Sequence, residues 1–127
     1  MTREMTLAID CGGGGIKGSV VDERGTMMAP PRRVPTPYPL PPELLVETVI
    51  GLARELPTAT RVTMGMPGMI RHGVVIATPH YITRDGPRSR VLPELVDLWD
   101  HFDMGRAIEG ALGLPTKVLN DAEVAGA

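Results

Sequence analysis

The chain has 127 residues, 43% of them apolar and 22% charged, which fits one globular domain and leaves no reason to expect disorder. A formal net charge of −2 without a long basic run excludes the electrostatic footprint of a nucleic-acid binder. The single cysteine, Cys11, excludes an internal disulfide and a cysteine-based zinc site, and no uncharged apolar stretch approaches the ~20 residues of a membrane span. A reducing cytoplasm is the expected setting, with no membrane partner.

Met5 to Asp10 is a short apolar run ending in a carboxylate and predicts a buried strand. Four glycines follow, Gly12 to Gly15. Ile16 to Asp22, with Ile16, Val20 and Val21, predicts a second strand. Asp22-Glu23-Arg24-Gly25 is a turn signal, and Thr26 to Ala29 is expected to return as a third strand. Pro30 to Pro42 holds seven prolines and reads as an extended connection, since proline cannot donate within a helix or a central strand. Glu43 to Leu56 predicts a helix, with Pro42 at its first position and a stripe of Leu45, Val49, Leu52, Ala53 and Leu56. Pro57 stops it.

Arg61 to Met66 predicts a strand ended by Pro67-Gly68. Met69 to Ile76 reads as a hairpin turning at Arg71-His72-Gly73. Tyr81 to Pro93 is polar and is expected to be irregular. Phe102 to Leu112 predicts a helix, with Asp103 near its start and Gly113 as its stop. Thr116 to Leu119 predicts a short strand, and Asn120-Asp121 opens a third helix. The order β-β-β-α-β-(hairpin)-α-β-α implies an α/β fold: a mixed sheet whose central strands are parallel. The chain reaches Ala127 a few residues into that third helix, so a fragment or one lobe of a longer enzyme is expected.

Asp10-Cys11-Gly12-Gly13-Gly14-Gly15-Ile16-Lys17-Gly18 is the segment richest in chemistry. Glycines allow positive φ and close backbone approach, and exposed N–H groups in such a turn make an anion-binding concavity. Lys17 adds a positive charge, and Asp10 at a strand end suits Mg²⁺ near phosphate. Gly13-x-Gly15-x-x-Gly18 matches the dinucleotide fingerprint only formally, because strand rather than helix follows it. A phosphate-binding loop of the nucleotide triphosphatase type fails as well, since Gly18 follows Lys17. A ligand-free glycine hairpin is the bland reading.

Asn120-Asp121 also has two readings. Asn120 is a good helix cap, and Glu123 three residues after it completes a capping box. Alternatively, Asp10 and Asp121 both follow strands taken to be parallel, and ligands sit beyond the carboxyl ends of such strands. One carboxylate would then lie near phosphate and the other near an acceptor hydroxyl, as phosphoryl transfer to an alcohol requires.

Leu7-Ala8-Ile9-Asp10 with the glycines and Lys17-Gly18 resembles the first phosphate motif of the ROK family of repressors, open reading frames and sugar kinases. Gly65-Met66-Pro67-Gly68-Met69-Ile70 followed by Gly73-Val74-Val75 resembles that family's Pro-Gly segment. Gly113-Leu114-Pro115 through Val118-Leu119-Asn120-Asp121-Ala122 resembles its strand into the Asn-Asp-Ala motif. The three motifs occur in order across nearly the whole chain, and within the family polyphosphate/ATP glucokinases are the most similar.

The resemblance implies the ribonuclease-H-like, actin-like ATPase fold of the hexokinase type, with residues 1–127 as the N-terminal lobe and the C-terminal lobe outside this chain. It implies a glucokinase-like transfer of a phosphoryl group from ATP or polyphosphate to a sugar hydroxyl such as that of glucose, with Mg²⁺. Asp121 would be the catalytic base. Asn120, Asp121, Gly68 and His80 would lie at the sugar, Gly12, Gly13, Gly14, Gly15 and Lys17 at phosphate, and Asp10 at the metal. The lobe alone is expected to be inactive.

Two positions depart from the family pattern. Gly14 stands where Thr or Ser is usual, and His80-Tyr81 stands where Asn-Leu is common beside the sugar. These departures keep a non-catalytic, sugar-binding regulatory protein as the alternative, and a purely structural module as a third. His72 reads as a turn residue, His101 as solvent-facing, Cys11 as packing, and Trp99 as core or interlobe packing first and a sugar platform second. Oligomeric state stays open, a homodimer included.

Overall fold

A computed structural model describes residues 3–122. Its centre is a five-stranded sheet in the order β3-β2-β1-β4-β8, built from β1 (Met5–Cys11), β2 (Gly15–Asp22), β3 (Arg32–Pro35), β4 (Arg61–Met66) and β8 (Thr116–Asn120). The first three strands form an antiparallel meander, whereas β1, β4 and β8 run parallel. A second, three-stranded sheet holds β5 (Met69–Arg71), β6 (Val74–Ala77) and β7 (Phe102–Asp103). The mixed sheet with parallel central strands expected from the element order is present.

The core forms on one face of the large sheet. Leu7 and Ile9 of β1, Val62 and Met64 of β4, and Val118 of β8 stand in register and are all buried. Helices α1 (Pro42–Arg54) and α3 (Met104–Leu112) contact this layer and each other. α1 begins with Pro42 at its first position, carries Glu43 at its positive end, and buries Leu45, Val49 and Leu52 at helical spacing. Gly18 lets α1 come close, because a Cβ there would sit 3.2 to 3.5 Å from Leu56, Ile9 and Leu52. The α3 N-terminus is closed by Asp103, whose carboxylate accepts the Arg106 N–H at 3.0 Å, and its end by Gly113 in the left-handed region.

Three expectations are corrected. Thr26 to Ala29 forms no strand; it contributes one isolated bridge, Met27 to Val21. The third strand lies instead inside the proline-rich connection, at Arg32–Pro35. It is tolerated there because β3 is the sheet edge, where one side needs no donors. The second helix starts at Met104 rather than Phe102, since Phe102 and Asp103 pair with β6. A further helix, α2 (Pro93–Trp99), follows the polar stretch and buries Leu95 and Trp99. Trp99 is core: its Nε1 donates to the Leu40 carbonyl at 2.8 Å and its ring is almost fully enclosed, which removes it as a sugar platform.

The β5–β6 hairpin turns at His72 and Gly73, both at positive φ, as its turn signal implied. Just before it, Gly68 has φ +102°, and a Cβ there would collide with the Ala77 carbonyl and come within 2.9 Å of Thr78 Cα. The obstacle is backbone and cannot swing away. Gly68→Ala is therefore expected to lower the unfolding free energy by about 3 kcal/mol or more. Urea unfolding measures this, and a loss below about 1 kcal/mol would show that the hairpin shifts freely.

Candidate functional site

Register sets the site. Asp10 pairs with Gly65 of β4, Gly65 pairs with Leu119 of β8, and Asn120 is the next residue along β8. Two strand spacings of about 4.8 Å separate β1 from β8, so the Asp10 and Asn120-Asp121 backbones stand roughly 10 Å apart at one end of the sheet. The electrostatics agree. Cys11 is fully buried and its thiol is held far above the usual cysteine range, first by burial and then by the carboxylates of Asp10 and Asp121. Tyr81 feels both carboxylates too, after the larger effect of its own burial. Asp10 and Asp121 thus flank one region.

The glycine loop joins β1 to β2 and closes with a Gly12 N–H to Gly15 carbonyl bond of 2.9 Å. Its carbonyls are anchored from behind. The Gly12 oxygen accepts from the Thr36 hydroxyl at 3.0 Å and the Tyr81 hydroxyl at 2.9 Å. The Gly13 oxygen accepts from the Tyr38 hydroxyl at 2.7 Å, and the Gly14 oxygen from the Thr36 N–H at 3.3 Å. The peptides linking these glycines are trans, so each C=O points opposite to the N–H of the next residue. Three anchored carbonyls therefore turn the N–H groups of Gly13, Gly14 and Gly15 away from their anchors. Among the described residues, the Gly13 and Gly14 N–H groups meet no acceptor. Two adjacent amides left without an acceptor in a turn are available to an anion.

Gly13 and Gly15 are needed for space rather than for positive φ. None of Gly12 to Gly15 sits in the left-handed region, which corrects one of the two reasons anticipated for them. A Cβ at Gly13 would lie 2.9 Å from the Pro87 side chain and 3.5 Å from His80 Nδ1. At Gly15 it would overlap the Arg33 guanidinium. At Gly14 it would meet nothing within 4 Å, so the hydroxyl-bearing residue missing there would fit.

Lys17 stands directly across β1 from Asp10 and directly across β3 from Arg33, all three exposed. Among the described residues neither cation has a carboxylate within ion-pair distance. Arg33, Thr36, Tyr38 and Tyr81 escaped the sequence analysis as loop-supporting residues. The first three lie in the proline-rich connection and Tyr81 opens a polar stretch, where periodicity is silent. The alternating Pro35-Thr36-Pro37-Tyr38 pattern was the one available signal for an ordered strap.

The second half of the site surrounds Asn120. Its Oδ1 accepts the Ala122 N–H at 2.9 Å, so the capping role is present, and its Nδ2 donates to the Gly68 carbonyl. One amide N–H and one lone pair of this side chain remain for a ligand. Glu123, the other half of the expected capping box, lies outside the described residues. An open cleft of about 470 Å³ is lined by Gly68, Met69, Ile70, Ala77, Pro79 and Asn120. His80 follows Pro79, is exposed, and reaches back to Gly13, so it stands between this cleft and the glycine loop. His72 and His101 lie elsewhere; His101 contacts Asp100 on the surface.

No group of three or more His, Cys, Asp or Glu side chains among the described residues could hold a metal by itself. Magnesium that travels with phosphate needs only one or two protein carboxylates, and Asp10, exposed and outside any ion pair among the described residues, fits that requirement. No described helix is long and apolar enough to cross a membrane.

A mixed sheet whose parallel strands end in two carboxylates, beside a glycine loop, has the hexokinase-type, actin-like ATPase architecture. The chain belongs to the ROK family, whose model matches residues 6–127. It is 34% identical over 122 residues to the N-acetylmannosamine kinase of Citrobacter koseri, covering 94% of this chain and 37% of that protein. The inorganic polyphosphate/ATP-glucomannokinase of Arthrobacter sp. strain KM superposes with a TM-score of 0.75 at 34% identity, over 97% of this chain and 46% of that one. The ROK family glucokinase of Streptomyces griseus, solved with glucose and AMPPNP, gives 0.74 at 25% identity, over 96% of this chain and 35% of that one. The chain thus spans less than half the length of each of these sugar kinases.

Two outcomes follow from the loop. Gly14→Ser is expected to leave the unfolding free energy within about 0.5 kcal/mol of wild type, whereas Gly13→Ala, pressed on Pro87, loses about 1 kcal/mol or more. Chemical denaturation of the two variants checks the order. Cys11 gives the second. Its raised pKa means that the folded state keeps the proton after the unfolded thiol, with an ordinary pKa of about 8.5, has lost it. Its contribution is complete below about pH 8.5 and falls above that by up to about 1.4 kcal/mol per pH unit. Cys11→Ala should flatten the stability profile between about pH 8.5 and 10 relative to wild type. An identical slope in both proteins would contradict the burial effect.

Proposed function

We propose that this chain is the N-terminal lobe of a ROK-type sugar kinase, which binds the phosphates of ATP or polyphosphate on Gly12 to Gly15 and a sugar against Asn120 and Gly68. The observation that carries the reading is the pair of free Gly13 and Gly14 amides, turned outward by anchored carbonyls beside Asp10 and Asp121. Lys17 and Arg33 add positive charge at the same loop. The named relatives make glucose, mannose and an N-acylated mannosamine the acceptors to test first. A second lobe, carrying the rest of the donor site, completes the enzyme in this reading, and a reducing cytoplasm is its setting.

In the reaction, Asp121 accepts the proton of the sugar hydroxyl as the oxygen attacks the terminal phosphorus. The new O–P bond forms as the bond to the leaving phosphate breaks, in line. The glycine amides and the two cations balance charge on the phosphate oxygens. Asp10 would hold magnesium that travels with the donor, and the ion would add further neutralisation of that charge. Asn120 orients the acceptor with its remaining N–H and lone pair, while its other two contacts fix the helix start and the Gly68 turn. His80 is positioned to touch the acceptor or the transferred group.

The test is phosphorylation of a panel of hexoses and N-acylhexosamines by the complete protein, with ATP or polyphosphate and Mg²⁺. Asp121→Asn is expected to lower kcat by about 10²-fold or more, the order of a lost general base, while sugar affinity changes little. Turnover unaffected by the substitution would remove Asp121 from the mechanism. Sugar binding with no phosphoryl transfer from either donor would favour the regulatory alternative, which the absent hydroxyl at Gly14 and the presence of His80 keep in view.

A further inference from the structure

The segment Thr78 to Thr83 touches both halves of the site. Pro79 lines the cleft with Gly68 and Asn120, and His80 lies against Gly13. Tyr81 turns the other way and is fully buried. Its hydroxyl donates to Gly12, its ring packs edge-on against Tyr38 at a centroid distance of 6.3 Å, and it lies tilted by 38° against Trp99 at 5.8 Å. Tyr38 in turn donates to Gly13. The segment is internally tied: the Tyr81 N–H donates to the Thr78 carbonyl at 3.1 Å, and the Thr83 hydroxyl to the His80 carbonyl at 2.8 Å. A shift of Pro79 and His80 is therefore carried to Tyr81, and from Tyr81 to the Gly12 carbonyl.

We propose that Tyr81 is a positioning residue that couples the acceptor cleft to the phosphate-facing loop, by holding the Gly12–Gly13 peptide with its N–H outward. The proposal rests on the kinase reading of that loop. The physical argument is peptide planarity. If the Gly12 carbonyl swings out, the Gly13 N–H swings in, and an oxygen dipole replaces a donor in front of phosphate. The Thr36 hydroxyl alone then opposes the flip. Glycines resist it weakly, because with no Cβ both orientations are accessible. Tyr81 and Tyr38 are thus specific to donor binding although neither faces the cleft.

The experiment titrates inorganic tripolyphosphate into the full chain and into Tyr81→Phe, Tyr38→Phe and the double variant. Val49→Ala, which loosens the core under α1, serves as a control for lost stability. Both Phe variants keep the rings and lose one hydrogen bond each. Tyr81→Phe and Tyr38→Phe are expected to bind tripolyphosphate about 3- to 10-fold more weakly, and the double variant weaker still, in line with one or two lost hydrogen bonds. Val49→Ala should melt earlier yet bind like wild type. Binding by Tyr81→Phe within about twofold of wild type would overturn the coupling while leaving the loop as the phosphate site. Equal weakening in Val49→Ala would also overturn it, as a general effect of stability. If wild type does not bind tripolyphosphate, the phosphate reading of the loop fails, and the role of Tyr81 fails with it.

Discussion

Parallel pairing of β1, β4 and β8 is the constraint on which the remaining arrangement rests. It brings the ends of three strands level, and each end delivers something different: Asp10 and the glycine loop from β1, the Pro67-Gly68 turn from β4, and Asn120-Asp121 from β8. A slip of one residue in either pairing would send every buried side chain of that strand to the opposite face. Leu7, Ile9, Val62, Met64 and Val118 forbid it, because all five are buried on the same face under α1 and α3. The apolar pattern that makes the core thus also fixes which polar groups meet at the sheet's end.

The glycine loop shows a division of labour between front and back. Its front is bare backbone. Its back is a set of hydroxyls from Thr36, Tyr38 and Tyr81, contributed by two segments distant in sequence. The proline-rich strap that carries Thr36 and Tyr38 has little freedom to lose on folding, since each proline already fixes φ. The third anchor, Tyr81, is nearly enclosed and its hydroxyl is held above the usual tyrosine range by burial, so it remains a donor throughout the working pH range.

The parts of the fold that follow from periodicity were legible in the sequence. The α1 stripe, the β1 and β4 runs and the His72-Gly73 turn stand where spacing and turn chemistry put them. β3 was not, because a strand of Arg-Arg-Val-Pro at an edge carries no alternation to read. α2 was hidden by its brevity and by the polar stretch before it. Of the site, the residues at the strand ends were legible as a set, since turns that break apolar runs mark the edge of a sheet. The supporting residues were not, because their role depends on which distant carbonyls they reach. Asn120 illustrates the difference: its capping contact is local and foreseeable, whereas its link to Gly68 spans 52 positions.

The bareness of the loop's front has a consequence for how this chain can vary. A ligand met by main-chain amides cannot be lost or gained through a simple exchange of side chains at the contact points. If the loop meets phosphate through these amides, as proposed, selection on that contact falls on the positions behind it. Gly14 is the one place on the loop where a side chain has open space, and so the one place where a new contact could arise in a single step. A comparison that scored only ligand-facing side chains would see little at this loop and would overlook the residues that shape it.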